Sequence, residues 1–229
     1  NGRTVGWDEW QVRGGLVLPL QFIHGRTSTD LRLSTDYVYT KTYYKGTYKD
    51  SFSRSGYGYL DQQVVFSHQS QQARQHIFPR YAQSLRIGYA KAVQGLNANQ
   101  FLLSGSGYFP GIFRNHHLVF QAAWQQRDTL RRLFFSNSFP FSRGYIRLNF
   151  HRMFRWGINY HFPVVYPDRG LADIVYFLRV RANVFYDDTR VQDYDRNRKS
   201  YARSFRSTGV EVYFDSKWWN QHPVTFGLR

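Results

Sequence analysis

The sequence predicts an all-β fold, an antiparallel transmembrane β-barrel with about 11–12 strands in this chain, taken as one domain over residues 1–229. Three observations carry that prediction. Apolar and polar residues alternate with a period of two along most of the chain, the repeat of a strand with two unlike faces. Aromatic residues make up 19 % of the sequence, yet its mean hydropathy is −0.57. The apolar content is largely Tyr, Phe and Trp interleaved with Arg, Gln, Asn and Ser, which suits a wall with one apolar and one polar face. The longest apolar runs are a few residues, far short of the roughly 20 that a membrane helix requires.

The elements follow in chain order. Residues 10–23 alternate weakly. In 31–43, Leu31, Leu33, Tyr37, Tyr39 and Tyr43 oppose Arg32, Ser34, Asp36 and Thr40. Residues 59–70 are a weaker candidate. Residues 81–91 set Tyr81, Leu85, Ile87 and Tyr89 against Ser84, Arg86 and Gly88, and 99–109 again alternate weakly. Residues 116–126 align Leu118, Phe120, Ala122 and Trp124 against Gln121, Ala123 and Gln125. The clearest stretch is 145–163. Its even positions run Ile146, Leu148, Phe150, Arg152, Phe154, Trp156, Ile158, Tyr160 and Phe162, and its odd positions are mostly polar, including Arg147, Arg155, Asn159 and His161. It is too long for one ordinary strand, so it reads as two strands with a three-residue turn near Arg152–Phe154. Residues 173–187 put Ile174, Tyr176, Leu178, Val180, Ala182, Val184 and Tyr186 on one face and Asp173, Arg179, Arg181, Asn183 and Asp187, mixed with Val175, Phe177 and Phe185, on the other. Residues 202–215 and 223–229 close the series.

Most of these strands are longer than the usual globular strand and match the 9–11 or so tilted residues of a membrane strand. Backbone groups in lipid must pair internally, so such a sheet must close. A soluble sandwich or ligand barrel also alternates, with its apolar face inward. The Arg-bearing polar faces favour a wet lumen and a lipid-facing apolar wall.

The totals exclude other classes. There is no Pro/Gly/Ser-rich linker, single-sign charge block or low-complexity tract to divide the chain. With no cysteine, thiol chemistry and disulfides are out. The chain opens Asn1-Gly2-Arg3 without Met or an apolar leader and reads as processed or as part of something longer. The net charge is +16, but the cations are spread over alternating segments and loops, not gathered in a nucleic-acid stripe. His116 and His117 point to opposite faces of a strand and cannot chelate together. Neither a metal nor another cofactor is expected. Ser104-Gly105-Ser106-Gly107 is not a nucleophile elbow, and no nucleophile–base pair follows from spacing, so the chain does not read as an enzyme.

Residues 142–145, Ser-Arg-Gly-Tyr, resemble the Val/Ile-Arg-Gly-Phe/Tyr motif of the BamA-type bacterial surface-antigen superfamily. Phe185-Tyr186-Asp187-Asp188-Thr189 resembles that family's Phe-x-Asp-x-Gly, Ser207-Thr208-Gly209-Val210-Glu211 its Ser-x-Gly strand, and Pro223-Val224-Thr225-Phe226-Gly227 its closing strand. The resemblance covers about residues 100–229. It implies a sixteen-stranded outer-membrane barrel that inserts or translocates other proteins, here represented by its C-terminal part. It further implies that the motif loop folds into the lumen, with Arg143 paired to Asp187 and supported by Gly144 and Tyr145, and that five strands follow the motif. Ser142 departs from the family's branched apolar residue, Thr189 from its glycine, and Asn159 stands where the family often has a lumen glutamate. The last residues, Phe226-Gly227-Leu228-Arg229, lack the family's terminal aromatic. Barrels of this look also follow TolB-like propellers in Bacteroidetes envelope proteins.

The expected location is the bacterial outer membrane, with outer-membrane lipid and lipopolysaccharide, and periplasmic or lipoprotein partners, around the barrel. Counting strands back from the last puts 44–58, 93–98, 128–144, 164–171 and 216–222 outside the cell, and 24–28, 72–80, 109–115, 151–155 and 188–200 in the periplasm. Loop cations Lys41, Lys45, Lys49 and Arg54 would then meet lipid phosphates. Arg32, Arg86, Arg147, Arg179 and Arg181 would line the lumen. The leading functional expectation is outer-membrane protein assembly or translocation. The alternatives are a passive, anion-preferring pore and a structural barrel that anchors periplasmic partners.

Overall fold

A computed structural model of the chain describes residues 6–45, 56–73, 76–129, 135, 138–171, 174–195, 197–219 and 221–228. Lys49, Arg54 and Asp173 lie outside the described residues. Within them the chain is one antiparallel sheet of eleven strands. These are β1 (Gly6–His24), β2 (Thr27–Lys45), β3 (Gly56–Ser70), β4 (Ala82–Gln94), β5 (Asn99–Pro110), β6 (His117–Arg127), β7 (Arg152–Val165), β8 (Arg169–Leu171), β9 (Val175–Tyr194), β10 (Ser200–Trp218) and β11 (His222–Leu228). Each long strand pairs with the next in sequence, and the three-residue β8 lies against β9 off this path. Among the described residues the sheet is not closed: β1 pairs only with β2, and β11 only with β10.

The register keeps like with like. One row of cross-strand partners runs Leu33, Val64, Ile87, Leu103, Trp124 and Phe154. A row on the other face runs Ser67, Ser84, Ser106, Gln121, Gly157, Asp187 and Ser207. A slip of one residue would exchange the two faces; the two-residue alternation therefore holds the register as well as the strand conformation. On β7 the even positions Phe154 (43 %) and Ile158 (37 %) are exposed, whereas Arg155 (5 %) and Asn159 (4 %) are buried. The polar face is the covered one.

What covers it is the connection between β6 and β7. Phe139 (0 %) and Phe141 (8 %) share a buried cluster with Leu102 of β5, Ala123 of β6, Met153 of β7 and Val191 of β9, and Phe205 of β10 packs against it. In a flat sheet the outer two of these five strands would stand about 19 Å apart, so the sheet must curl around the two phenylalanines. Phe135 packs into a second cluster on β4 with Ala90 and Ala92.

Two expectations are corrected. Residues 145–151 form no strand, and β7 runs straight through Arg152–Phe154, where a turn was expected. β6 has one free edge and β7 takes it, from Gln126 opposite Arg152 onward, so 145–151 has no ladder to join. Its alternation reports only that Ile146 (83 %) and Leu148 (46 %) face out while Phe150 packs on the phenylalanine cluster. Four long strands and the short β8, not five full strands, follow the motif. The second correction follows from the first, because one strand fewer inverts the ends of every later turn. The 166–174 and 219–221 connections lie at the same end as 25–26, 71–81 and 111–116. The 195–199 turn lies at the other end, with the C-terminal ends of β2, β4 and β6, which we call the loop end. The expected long 188–200 loop does not exist. The β9–β10 ladder continues to Tyr194 opposite Ser200 and leaves a five-residue turn.

Candidate functional site

Arg143 sits at the centre of the polar face. Its Nε donates to Asp187 Oδ2 at 2.7 Å and its Nη2 to Asp187 Oδ1 at 3.1 Å, a bidentate pair. Its backbone N–H donates to the same carboxylate at 3.2 Å. Nη1 donates to Glu211 Oε2 at 2.9 Å and Nη2 to Asn159 Oδ1 at 2.6 Å. The guanidinium carbon lies 3.5 Å from the ring centre of Phe185, an arrangement in which the cation meets the negative face of the ring. One loop residue thus touches β7, β9 and β10.

The surrounding side chains complete the network. Asp187 is 0 % exposed and also accepts from Arg155 Nη2 at 2.7 Å, which in turn donates to Gln121 Oε1 at 3.2 Å. Glu211 accepts from Asn183 Nδ2 at 2.9 Å and Tyr213 Oη at 2.7 Å. Two arginines face two carboxylates, so the group is neutral; Asp187 accepts four hydrogen bonds and Glu211 Oε2 three. Pairing of this kind is the condition under which buried ions are tolerated. Asn159, in place of the family's glutamate, still accepts from Arg143, and Glu211 supplies the second carboxylate.

The backbone approach is cut to fit. Gly209, the glycine of Ser207-Thr208-Gly209, lies under the Phe185 ring; a Cβ there would stand 3.0 Å from it. Gly157, opposite Asp187 on β7, has the same role, since a Cβ there would meet Asp187 Oδ1 at 2.5 Å. Gly144 turns the chain with φ +84°, and Tyr145 then reaches β10, where its hydroxyl donates to the Arg206 carbonyl at 3.0 Å and its ring packs on Phe205.

The two departures from the family motifs meet each other. Ser142 Oγ lies 2.6 Å from Thr189 Oγ1, the Ser142 N–H donates to the same oxygen at 3.1 Å, and Ser142 Oγ donates to the Phe205 carbonyl at 3.0 Å. Both residues are buried, at 1 % and 0 %. A branched apolar residue at 142 and a glycine at 189 would make a dry contact here; Ser and Thr make a hydrogen-bonded one.

The predicted basic residues separate into three environments. Arg179 and Arg181 share Asp215, with their Nε atoms 2.6 and 3.1 Å from Oδ2, and Arg181 stacks on Tyr213. Arg86 donates to Gln63 Oε1 at 2.8 Å. Arg32 is on the polar face opposite Val65 and exposed. Arg147 is on the loop, not on a strand, and exposed at the edge of a cavity of about 310 Å³ beside Arg143 and Arg155. Four of the seven arginines named on this face or its loop are therefore engaged with carboxylates. His117 is buried opposite His161, while His116 bonds Tyr160. Among the described residues no group of three or more His, Asp or Glu is arranged to hold a metal ion.

No family model matches the chain, and neither a search of curated proteins nor one of solved structures finds a match.

Proposed function

We propose that this sheet is the larger part of an outer-membrane β-barrel whose 128–151 connection is held inside the lumen, and that the barrel serves the assembly or translocation of other envelope proteins. The observation that carries the reading is the saturated pairing of Arg143. The segments singled out by the resemblance, Ser142–Tyr145, Phe185–Thr189 and Ser207–Gly209, are far apart in sequence and converge on this one guanidinium. An open, anion-preferring pore has less support, because Asp187, Glu211 and Asp215 neutralise the arginines that would attract anions.

The membrane part of the reading rests on the apolar face. Leu85 (40 %) of β4, Phe120 (44 %) of β6, Ile158 (37 %) of β7, Val184 (46 %) of β9 and Val210 (57 %) of β10 are exposed on one face of the sheet, whereas soluble monomers rarely expose an apolar patch beyond a few hundred Å². The row through Leu33, Val64 and Trp124 also leads on, through Phe154, to Arg190 and Ser204. Those two lie past the apolar residues Val180, Ala182, Val184 and Tyr186 of β9. The apolar band thus runs obliquely to the hydrogen-bonded rows. It must do so if the band lies level in a bilayer and the strands tilt by about 35–45°.

Val184→Arg tests the membrane claim. It is expected to lower folding stability in lipid vesicles by about 2–4 kcal/mol, as for a cation near the bilayer midplane, measured by urea titration of tryptophan fluorescence. An exposed position in water would tolerate the change within about 0.5 kcal/mol, and that result would remove the bilayer from the account. For the assembly claim, depletion of the protein is expected to lower the abundance of other outer-membrane barrels, with wild type restoring it and Arg143→Ala failing to. Unchanged barrel levels on depletion would refute an assembly role.

A further inference from the structure

The apolar face carries a buried carboxylate that the loop network does not use. Asp188 is 1 % exposed and points away from Asp187, toward Trp156 on β7 and Arg206 on β10. Its Oδ2 accepts from Arg190 Nε at 3.1 Å and its Oδ1 from Ser204 Oγ at 2.9 Å, with Arg206 Nε 3.8 Å away. Both arginine side chains remain 63 % exposed. Each turns its Nε toward the buried acid and keeps its terminal nitrogens for something outside. Arg152, exposed on β7, adds a third cation one row toward the loop end, opposite Gln192. The patch holds three positive charges over one negative.

The surroundings fix what such a patch can take. Immediately toward the other end the same face is apolar: Phe154, Ile158, Val184 and Val210 are exposed, and the rings of Trp156 and Tyr186 lie 5.3 Å apart. A ligand seated on both regions must be doubly charged at one end and hydrocarbon at the other. Guanidinium forks match phosphate oxygens bidentately. We infer that Arg152, Arg190 and Arg206, oriented by Asp188, form a binding site for the phosphate headgroup of a membrane lipid whose acyl chains lie along Phe154, Trp156 and Val184. This rests on the membrane reading above, and it assigns Asp188 a holding role in place of an unexplained acid on an apolar wall.

The test uses the purified chain in detergent, challenged with phosphatidic acid or phosphatidylcholine and read by native mass spectrometry. Wild type is expected to retain phosphatidic acid in preference to phosphatidylcholine. The preference should fall roughly fivefold for each arginine removed in Arg190→Gln and Arg206→Gln, and fall furthest in the Asp188→Asn/Arg190→Gln/Arg206→Gln triple variant, in which Arg152 alone remains of the patch. Arg203→Gln, on the same strand but opposite Val191 on the polar face, should leave it unchanged. Equal retention of the two lipids by wild type, or a loss of preference in Arg203→Gln as large as in the outer variants, overturns the site. Competition by inorganic phosphate as effective as by phosphatidic acid overturns the lipid assignment in favour of a free-anion site. A separate arm tests the underlying reading: acyl-brominated phosphatidylcholine vesicles should quench the tryptophans of wild type and triple variant alike. Absence of quenching in wild type sinks the membrane reading itself, whereas quenching without headgroup preference sinks only the site.

Discussion

Asp187→Ala is expected to release the 128–151 connection from the sheet and, on the barrel reading proposed above, to turn a mostly closed pore into a conducting one. The carboxylate is wholly buried and accepts four donated hydrogen bonds, three from Arg143 and one from Arg155. Truncating it strands two guanidinium groups in a site with no water-facing route for Arg155, which is 5 % exposed. Removing one partner of a buried pair costs about 3–5 kcal/mol, more than the net contribution of the intact pair, because the orphaned charge stays behind. Arg143 has an escape, since it enters from a connection and its side chain is 16 % exposed. The relaxed state is therefore one in which the loop withdraws. Planar-bilayer recording reads the change as longer and more frequent openings, and protease treatment as new cleavage within 128–151. Glu211→Gln should act in the same direction but less, because Asn183 and Tyr213 can still donate to its remaining oxygen. A closed, protease-resistant Asp187→Ala barrel would show that the arginine pairing is incidental to how the loop is held.

What the sequence made legible, and what it hid, divides along physical lines. Which face a strand residue takes is a local property with a period of two, so Asp187, Arg155 and Asn159 were assignable to one wall from their positions alone. Whether an alternating segment has a neighbouring strand to pair with is not local. Residues 145–151 alternate as cleanly as 155–163, yet the edge they would need is occupied by their own continuation. The extension of β9 and β10 was hidden for the opposite reason. Asp188, Arg190 and Gln192 place polar groups on the apolar face, which ends the alternation while the backbone ladder runs on to Tyr194. Glu211 was visible as a polar position on a strand, but its meeting with Arg143 depends on β9 lying between β7 and β10, a fact of pairing order. The Ser142–Thr189 contact was legible only as two unrelated departures from a pattern.

Phe139→Ala should loosen the same loop by a different route and so separate the two forces that hold it. Phe139 is 0 % exposed and stands in the cluster formed by Leu102, Ala123, Met153 and Val191. Removing a buried phenylalanine ring costs about 3–5 kcal/mol through lost burial and the cavity left behind. The charge pairing offers specificity of position, since only one geometry satisfies Asp187, Glu211 and Asn159 together, but its net free energy is modest once desolvation is counted. The aromatic contact is undirected and supplies most of the net attraction. If that division holds, Phe139→Ala lowers the thermal midpoint of loop release, yet the loop still returns to one closed level between openings. Asp187→Ala leaves the phenylalanines to hold the loop in several poses and gives multiple sub-conductance levels. Combining the two should abolish the closed state. Identical traces for the two single variants would show that loop position and loop affinity come from a single indivisible contact.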